Sequence, residues 1–181
     1  MDPLVDRYYH DKISTHHENL MAAIISVMAC SLGSKKCLAK SLELFNTMES
    51  ANHNYDDINP NLKRTVYNYA VRYSQDAFEE LKEKFGAEKN ERLKGIFLES
   101  LTFTTVPENI KILIDIGSGS STNDNLRNII FTGLLNSEYA VHQAIQNLID
   151  DHQKYEMMYD NGWIAFPSFI QKGNYSRKGN C

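Results

Sequence analysis

The spacing of apolar residues constrains this chain most: they return at three- and four-residue steps through most of its length, and nowhere is alternation at period two sustained. One buried face of a helix repeats that way, whereas a half-buried strand repeats every second residue. The fold class predicted is therefore all-α. Leu20, Ala23, Ile24, Val27, Met28 and Leu32 mark the buried face of a first helix from His16 to Leu32, ended by Gly33. Leu38, Leu42, Phe45 and Met48 mark a second from Lys35 to Glu49, and the stretch from Asn52 to Asn59 reads as a loop. Asn59-Pro60 supplies a cap and then a first-turn proline, opening a third helix with Leu62, Val66, Tyr69, Ala70 and Tyr73 on its stripe.

Phe78, Leu81 and Phe85 define a short fourth helix closed by Gly86, and Leu93, Ile96, Phe97 and Leu101 a fifth. Pro107 opens a sixth with Ile110, Leu113, Ile114 and Ile116. Gly117-Ser118-Gly119-Ser120-Ser121 has the composition of a flexible linker, yet periodicity resumes at once with Leu126, Ile129, Ile130, Leu134 and Leu135, so it reads as a loop within a domain. Ser137 is expected to cap an eighth helix carrying Val141, Ala144, Ile145, Leu148 and Ile149. Gly162 to Ile170 is either a short helix or an apolar tail. Helix pairs starting near His16, Pro60, Lys89 and Thr122 recur at steps of roughly 30 to 45 residues, the range of HEAT- and armadillo-type arrays. The expected organisation is one helical solenoid domain over residues 1–171, with a concave face and a disordered tail over 172–181.

Several function classes are excluded at this level. Lys, Arg, Asp and Glu are evenly scattered and the net charge is -4, so no basic stripe follows a phosphate backbone and nucleic acid is not an expected partner. The longest strongly apolar stretch, Leu20 to Leu32, is too short to span a bilayer, so no transmembrane segment is expected. Met1 is followed by Asp2, Pro3 and a charged, aromatic stretch, so no secretory signal is visible.

Two segments imitate catalytic motifs and fail where the chemistry is needed. His17-Glu18-Asn19-Leu20-Met21 begins like the zinc-peptidase helix motif, in which two histidines four apart hold the metal and the intervening glutamate polarises water. Met21 stands in the second ligand position, and a thioether is a poor replacement for imidazole on zinc. Gly86-Ala87-Glu88-Lys89-Asn90 is similar to the Gly-Ala-Met-Glu-Asn segment with which zinc aminopeptidases hold a substrate amine, but Lys89 would repel an ammonium group. Asp56-Asp57 and Asp150-Asp151 lack the spacing of a calcium loop, and Tyr67, Tyr69 and Tyr73 fit core packing better than a peptide groove. No catalytic or metal-ligating residue is assigned, and substrate-binding residues stay unknown. Cys30 and Cys37 bridge the end of one helix and the start of the next, either as a disulfide or as two buried thiols. Asn174-Tyr175-Ser176 is an N-glycosylation acceptor, usable in the secretory pathway.

Three blocks, in order, carry a resemblance to a known family. The first is Met28-Ala29-Cys30-Ser31-Leu32-Gly33 followed by Cys37-Leu38 and Glu43-Leu44-Phe45. The second is Pro60-Asn61-Leu62-Lys63 leading to Val66-Tyr67, and the third runs from Glu91 through Leu98-Glu99-Ser100-Leu101 to Thr104 and Pro107. Together they resemble the C-terminal helical domain of aminopeptidase N-type zinc metallopeptidases, as in the endoplasmic-reticulum aminopeptidases. The resemblance implies a Cys30–Cys37 disulfide, an extracellular or secretory location, and use of the Asn174 acceptor. A second family bridge is absent, its positions being Asn68 and Phe103. The resemblance further implies a non-catalytic domain that encloses peptide substrates, partnered by a catalytic domain that alone would carry zinc, so no cofactor is expected in this chain. The alternative is a stand-alone HEAT-like scaffold that binds a peptide or protein.

Overall fold

The computed structural model describes residues 15–50 and 60–150, excepting the side chains of residues 48–50. Within them, the stretches of three- and four-residue apolar spacing are helices: α1 (His16–Ser31), α2 (Lys35–Ser50), α3 (Pro60–Tyr73), α4 (Gln75–Ala87), α5 (Glu91–Leu101), α6 (Pro107–Gly117), α7 (Asp124–Asn136) and α8 (Val141–Asp150). No strand occurs among the described residues.

Short polar residues start the helices because their side chains satisfy amide N–H groups that have no partner in the first turn. Ser74 Oγ accepts from the Ala77 amide at 3.3 Å ahead of α4. Asn90 Oδ1 accepts from Arg92 and Leu93 ahead of α5, and Asn123 Oδ1 from Leu126 ahead of α7. Pro107 opens α6, where its missing N–H costs nothing. The expected Ser137 cap is not how α8 begins. Ser137 terminates α7, a turn follows, and the Val141 N–H bonds the Ser137 carbonyl at 3.0 Å.

The chain divides between Leu101 and Thr102 into two compact units. In the first, α1 packs on α2 and α3, α2 on α3, α3 on α4 and α5, and α4 on α5. Each helix thus meets its next or next-but-one neighbour, as stacked pairs do. The middle helix, α3, is buried on most sides, through Leu62, Val66, Tyr67, Tyr69, Ala70 and Val71. Tyr67 stands edge-on to Phe45 of α2 (6.3 Å, 84°) and to Phe97 of α5 (5.6 Å, 80°). Each such pair adds about 0.5–1.5 kcal/mol beyond the area it buries. Tyr69 is also core, as expected, but Tyr73 is exposed.

In the second unit, α6, α7 and α8 pack on one another. Its core is Ile110, Leu113, Ile114, Leu126, Ile130, Phe131, Leu134, Ala144 and Leu148. Gly133 faces Thr102 so closely that a Cβ there would lie 2.2 Å from Thr102 Oγ1, and a Cβ on Gly117 would lie 3.0 Å from the Phe131 ring. Two stripe residues expected inside, Leu93 and Ile149, are instead exposed at the ends of their helices' apolar faces.

The largest departure is α1. Leu20, Ile24, Val27, Met28 and Leu32 were expected inside, but they face solvent, and the buried side chains are Ala22, Ser26, Ala29 and Cys30. Small side chains let α1 approach α2 and α3 closely, so the stripe of small residues is the one that packs. The loop at 52–59, the segment 162–170 and the tail at 172–181 lie outside the described residues.

Candidate functional site

Gly33 makes the α1–α2 corner. Its φ of 76° is open to glycine and strained for other residues. The turn closes with the Gly33 N–H on the Cys30 carbonyl and the Ser34 N–H on the Ala29 carbonyl, both at 3.0 Å. This corner brings the two predicted cysteines together, and Cys30 and Cys37 form a disulfide with a Cα–Cα distance of 5.2 Å. Both are buried. Ser41 Oγ lies 3.6 Å from Cys30 Sγ, and Cys37 Sγ rests 3.3 Å from the Ser26 carbonyl. The bridge therefore locks the end of α1 to the first turn of α2. Asn174 lies outside the described residues.

The two motif-like segments serve as helix punctuation. Thr15 Oγ1 accepts from the Glu18 amide at 3.2 Å and donates to the Glu18 carboxylate at 2.9 Å, so Glu18 belongs to a cap. His17 and Met21 are exposed beside it. Glu88 terminates α4, and its carboxylate accepts from the amides of Lys89 and Asn90, both at 2.8 Å. Among the described residues no three His, Cys, Asp or Glu side chains gather closely enough to hold a metal ion. Asp150 is exposed and accepts from Gln146, while Asp56, Asp57 and Asp151 lie outside the described residues.

Among the described residues one ionisable group is visibly perturbed. Burial pushes the Tyr69 phenol above its usual value near 10, against the lowering effects of Arg72 and a hydrogen bond with the Ser31 side chain. The Tyr69–Ser31 contact ties α3 to the end of α1, a structural use of the group.

The group that sequence reasoning missed is Arg127. It is 4% exposed, and its guanidinium donates to three backbone carbonyls of the glycine- and serine-rich loop. Nε bonds the Gly117 carbonyl at 2.9 Å, and Nη2 bonds those of Thr122 at 2.8 Å and Gly119 at 3.3 Å. Nη1 bonds the Asp124 carboxylate at 2.6 Å. Ser118 and Thr122 add side-chain bonds to the carbonyls of Ile114 and Ile116. A segment with the composition of a linker is thereby cross-tied, and the signal that could have found it is an arginine one turn after a loop rich in unpaired carbonyls.

The three sequence blocks occupy helix junctions and core. The first is the disulfide corner with Leu44 and Phe45 buried, and the second is the proline start of α3 with Leu62, Val66 and Tyr67 buried. The third is the end of α5, where Leu98 and Leu101 are buried and Thr104 Oγ1 accepts from Asn109 at 3.1 Å. A family model, the ERAP1-like C-terminal domain, matches residues 1–173. The chain belongs to this family. No curated protein matches it. In this ERAP1-like C-terminal domain the first of the three blocks is the helix corner that holds the disulfide. Asn68 is a buried polar side chain on α3. No single described helix is long and apolar enough to cross a membrane; α1 with residues 35–47 passes on composition, but the two segments are bent by 115°.

Proposed function

We propose that this chain is the substrate-enclosing helical part of a zinc aminopeptidase, without activity of its own. Peptide lies against the helical array, and the zinc and amine-binding residues belong to a separate catalytic domain that partners it. The observation that carries this reading is the match of an aminopeptidase C-terminal domain family over residues 1–173. Two further features support it. Glu18 is used in the Thr15 cap and His17 and Met21 are exposed beside it, so the one zinc-like segment does not fit a metal. The buried Cys30–Cys37 bridge suits an oxidising compartment, consistent with a secretory or extracellular setting in which Asn174 would be glycosylated.

The test is a zinc determination on the purified chain together with hydrolysis of leucine p-nitroanilide. Neither bound zinc nor turnover is expected, and activity from the chain alone would overturn the proposal. A His-Glu-x-x-His segment encoded in frame upstream supports it further. A signal peptide encoded directly before Met1 would favour a separate protein- or peptide-binding scaffold, the reading that the exposed apolar face of α1 also favours.

A further inference from the structure

The Cys30–Cys37 corner is held by bonds that do not involve sulfur. The Leu32 N–H bonds the Met28 carbonyl at 3.1 Å, and the Leu38 N–H bonds the Ser34 carbonyl at 3.0 Å. Ser34 Oγ accepts from the Cys37 amide at 3.4 Å, at the start of α2. Ala22 and Ala29 of α1 and Leu44 and Phe45 of α2 are buried, and both helices pack on α3. The bridge spans a sequence separation of 7, so it removes less freedom from the unfolded chain than a bridge over a long loop would. Polar atoms lie against both sulfurs. Cys37 Sγ is 3.3 Å from the Ser26 carbonyl oxygen and Cys30 Sγ is 3.6 Å from Ser41 Oγ, all four residues being buried. A bridged sulfur has no proton to give either acceptor, whereas a thiol has one. The Ser26 hydroxyl is itself buried with no hydrogen-bond partner among the described residues, so the bridged form leaves hydrogen-bonding capacity unused on this wall.

We propose that this corner is a redox-tolerant joint, which holds Cys30 and Cys37 either as a bridge or as two buried thiols, Cys30 donating to Ser41 Oγ and Cys37 to the Ser26 carbonyl. The first unit then folds in a reducing compartment as it does in an oxidising one, and the bridge records the compartment without deciding the fold. The exchange balances with a dithiol as reductant. Its thiolate attacks one sulfur, the S–S bond breaks, and a mixed disulfide forms. The reductant's second thiol then closes on its first and releases the other cysteine. The reductant leaves as a cyclic disulfide, and two electrons and two protons pass to Cys30 and Cys37. Because the two residues are 2% and 0% exposed, the exchange waits for the corner to open. The proposal concerns the corner alone and does not depend on the aminopeptidase reading.

Refolding of the full chain under reduction tests it. The chain is unfolded in urea with dithiothreitol, returned to native buffer with the reductant present, and desalted without oxygen. It is then compared with the bridged chain by far-UV circular dichroism and by iodoacetamide labelling with peptide mapping. The reduced chain should regain the helical spectrum of the bridged one, and Cys30 and Cys37 should label at least about tenfold more slowly than in urea. Oxidised glutathione should then restore the Cys30–Cys37 bridge. Ser41→Ala should lower the urea midpoint of the reduced chain further than that of the bridged one, because only a thiol uses the acceptor. Equal shifts in the two forms overturn the proposal, as does a reduced chain that stays unfolded in native buffer. A reduced chain that folds but labels at Cys30 and Cys37 as fast as in urea overturns it as well.

Discussion

Replacing Arg127 with methionine removes the donor group while keeping most of the buried stem, and so isolates what the guanidinium does for the 117–122 loop. The carbonyls of Gly117, Gly119 and Thr122 lose their charged donor. Hydrogen bonds to charged groups are each worth about 1.5–3 kcal/mol net. Against this, the variant no longer desolvates a guanidinium, an effective penalty of several kcal/mol in an interior. The balance is a loss of about 2–4 kcal/mol, or a fall in melting temperature of roughly 5–15 °C for a chain of this length. The ion pair contributes little, because Asp124 is 77% exposed, and Asp124→Asn should cost no more than about 1 kcal/mol. Circular dichroism melts and urea titrations give the stability, and hydrogen exchange over residues 117–127 shows whether the loop itself loosens. Arg127→Lys should fall between the two, since an ammonium lacks the fork that spans three carbonyls. The reasoning is refuted if Arg127→Met melts within about 2 °C of wild type, or if Asp124→Asn is equally damaging.

Three other outcomes are expected. Replacing Cys30 and Cys37 together with alanine opens a loop with a sequence separation of 7 and should cost about 2.5 kcal/mol by the loop-entropy relation. In denaturant, one of the three cysteines should react with a thiol reagent before reduction and all three after it. Tyr69 is held neutral in the fold, its phenol raised by burial, so its contribution is intact below pH 10 and is lost as pH rises through the folded-state pKa. Tyr69→Phe should remove that alkaline slope and cost about 1 kcal/mol at pH 7 through the lost Ser31 bond, read from urea midpoints against pH. Gly133→Ala should destabilise by about 1–3 kcal/mol through its clash with Thr102, and Thr102→Ala in the same chain should recover part of that in a double-mutant cycle.

The helices were legible because 3.6-residue periodicity survives in the sequence whatever the helix packs against, and Pro60 and Pro107 marked where two of them start. Which face of α1 packs was not legible. Direction is read from a polar side opposing an apolar one, and α1 has no charged residue after Glu18 on any side. Its two candidate stripes were the large residues and the small ones. Close approach of helix backbones selected Ala22, Ser26 and Ala29. The Gly117–Ser121 loop misled for the opposite reason: composition describes a segment's own freedom, whereas Arg127, several residues later, supplies the bonds that remove it. The cysteine pair was legible in position, and the Gly33 turn that brings the two together followed from a helix-ending glycine. The apparent chemistry at Glu18 and Glu88 resolved into capping, because carboxylates and short side chains that serve catalysis also satisfy helix ends.

Packing each helix of the first unit on its next or next-but-one neighbour has a consequence for how this polypeptide comes into being. Contacts between near neighbours in sequence close short loops, and chains dominated by such contacts fold quickly. A pair such as α1 with α2 needs nothing from α5 to form, so structure can accumulate in the order in which the ribosome delivers it. The same locality confines damage. A helix lost from one edge takes with it only the surfaces of two others, which makes trimming or extension by whole helices an accessible route of change for a chain built in this way.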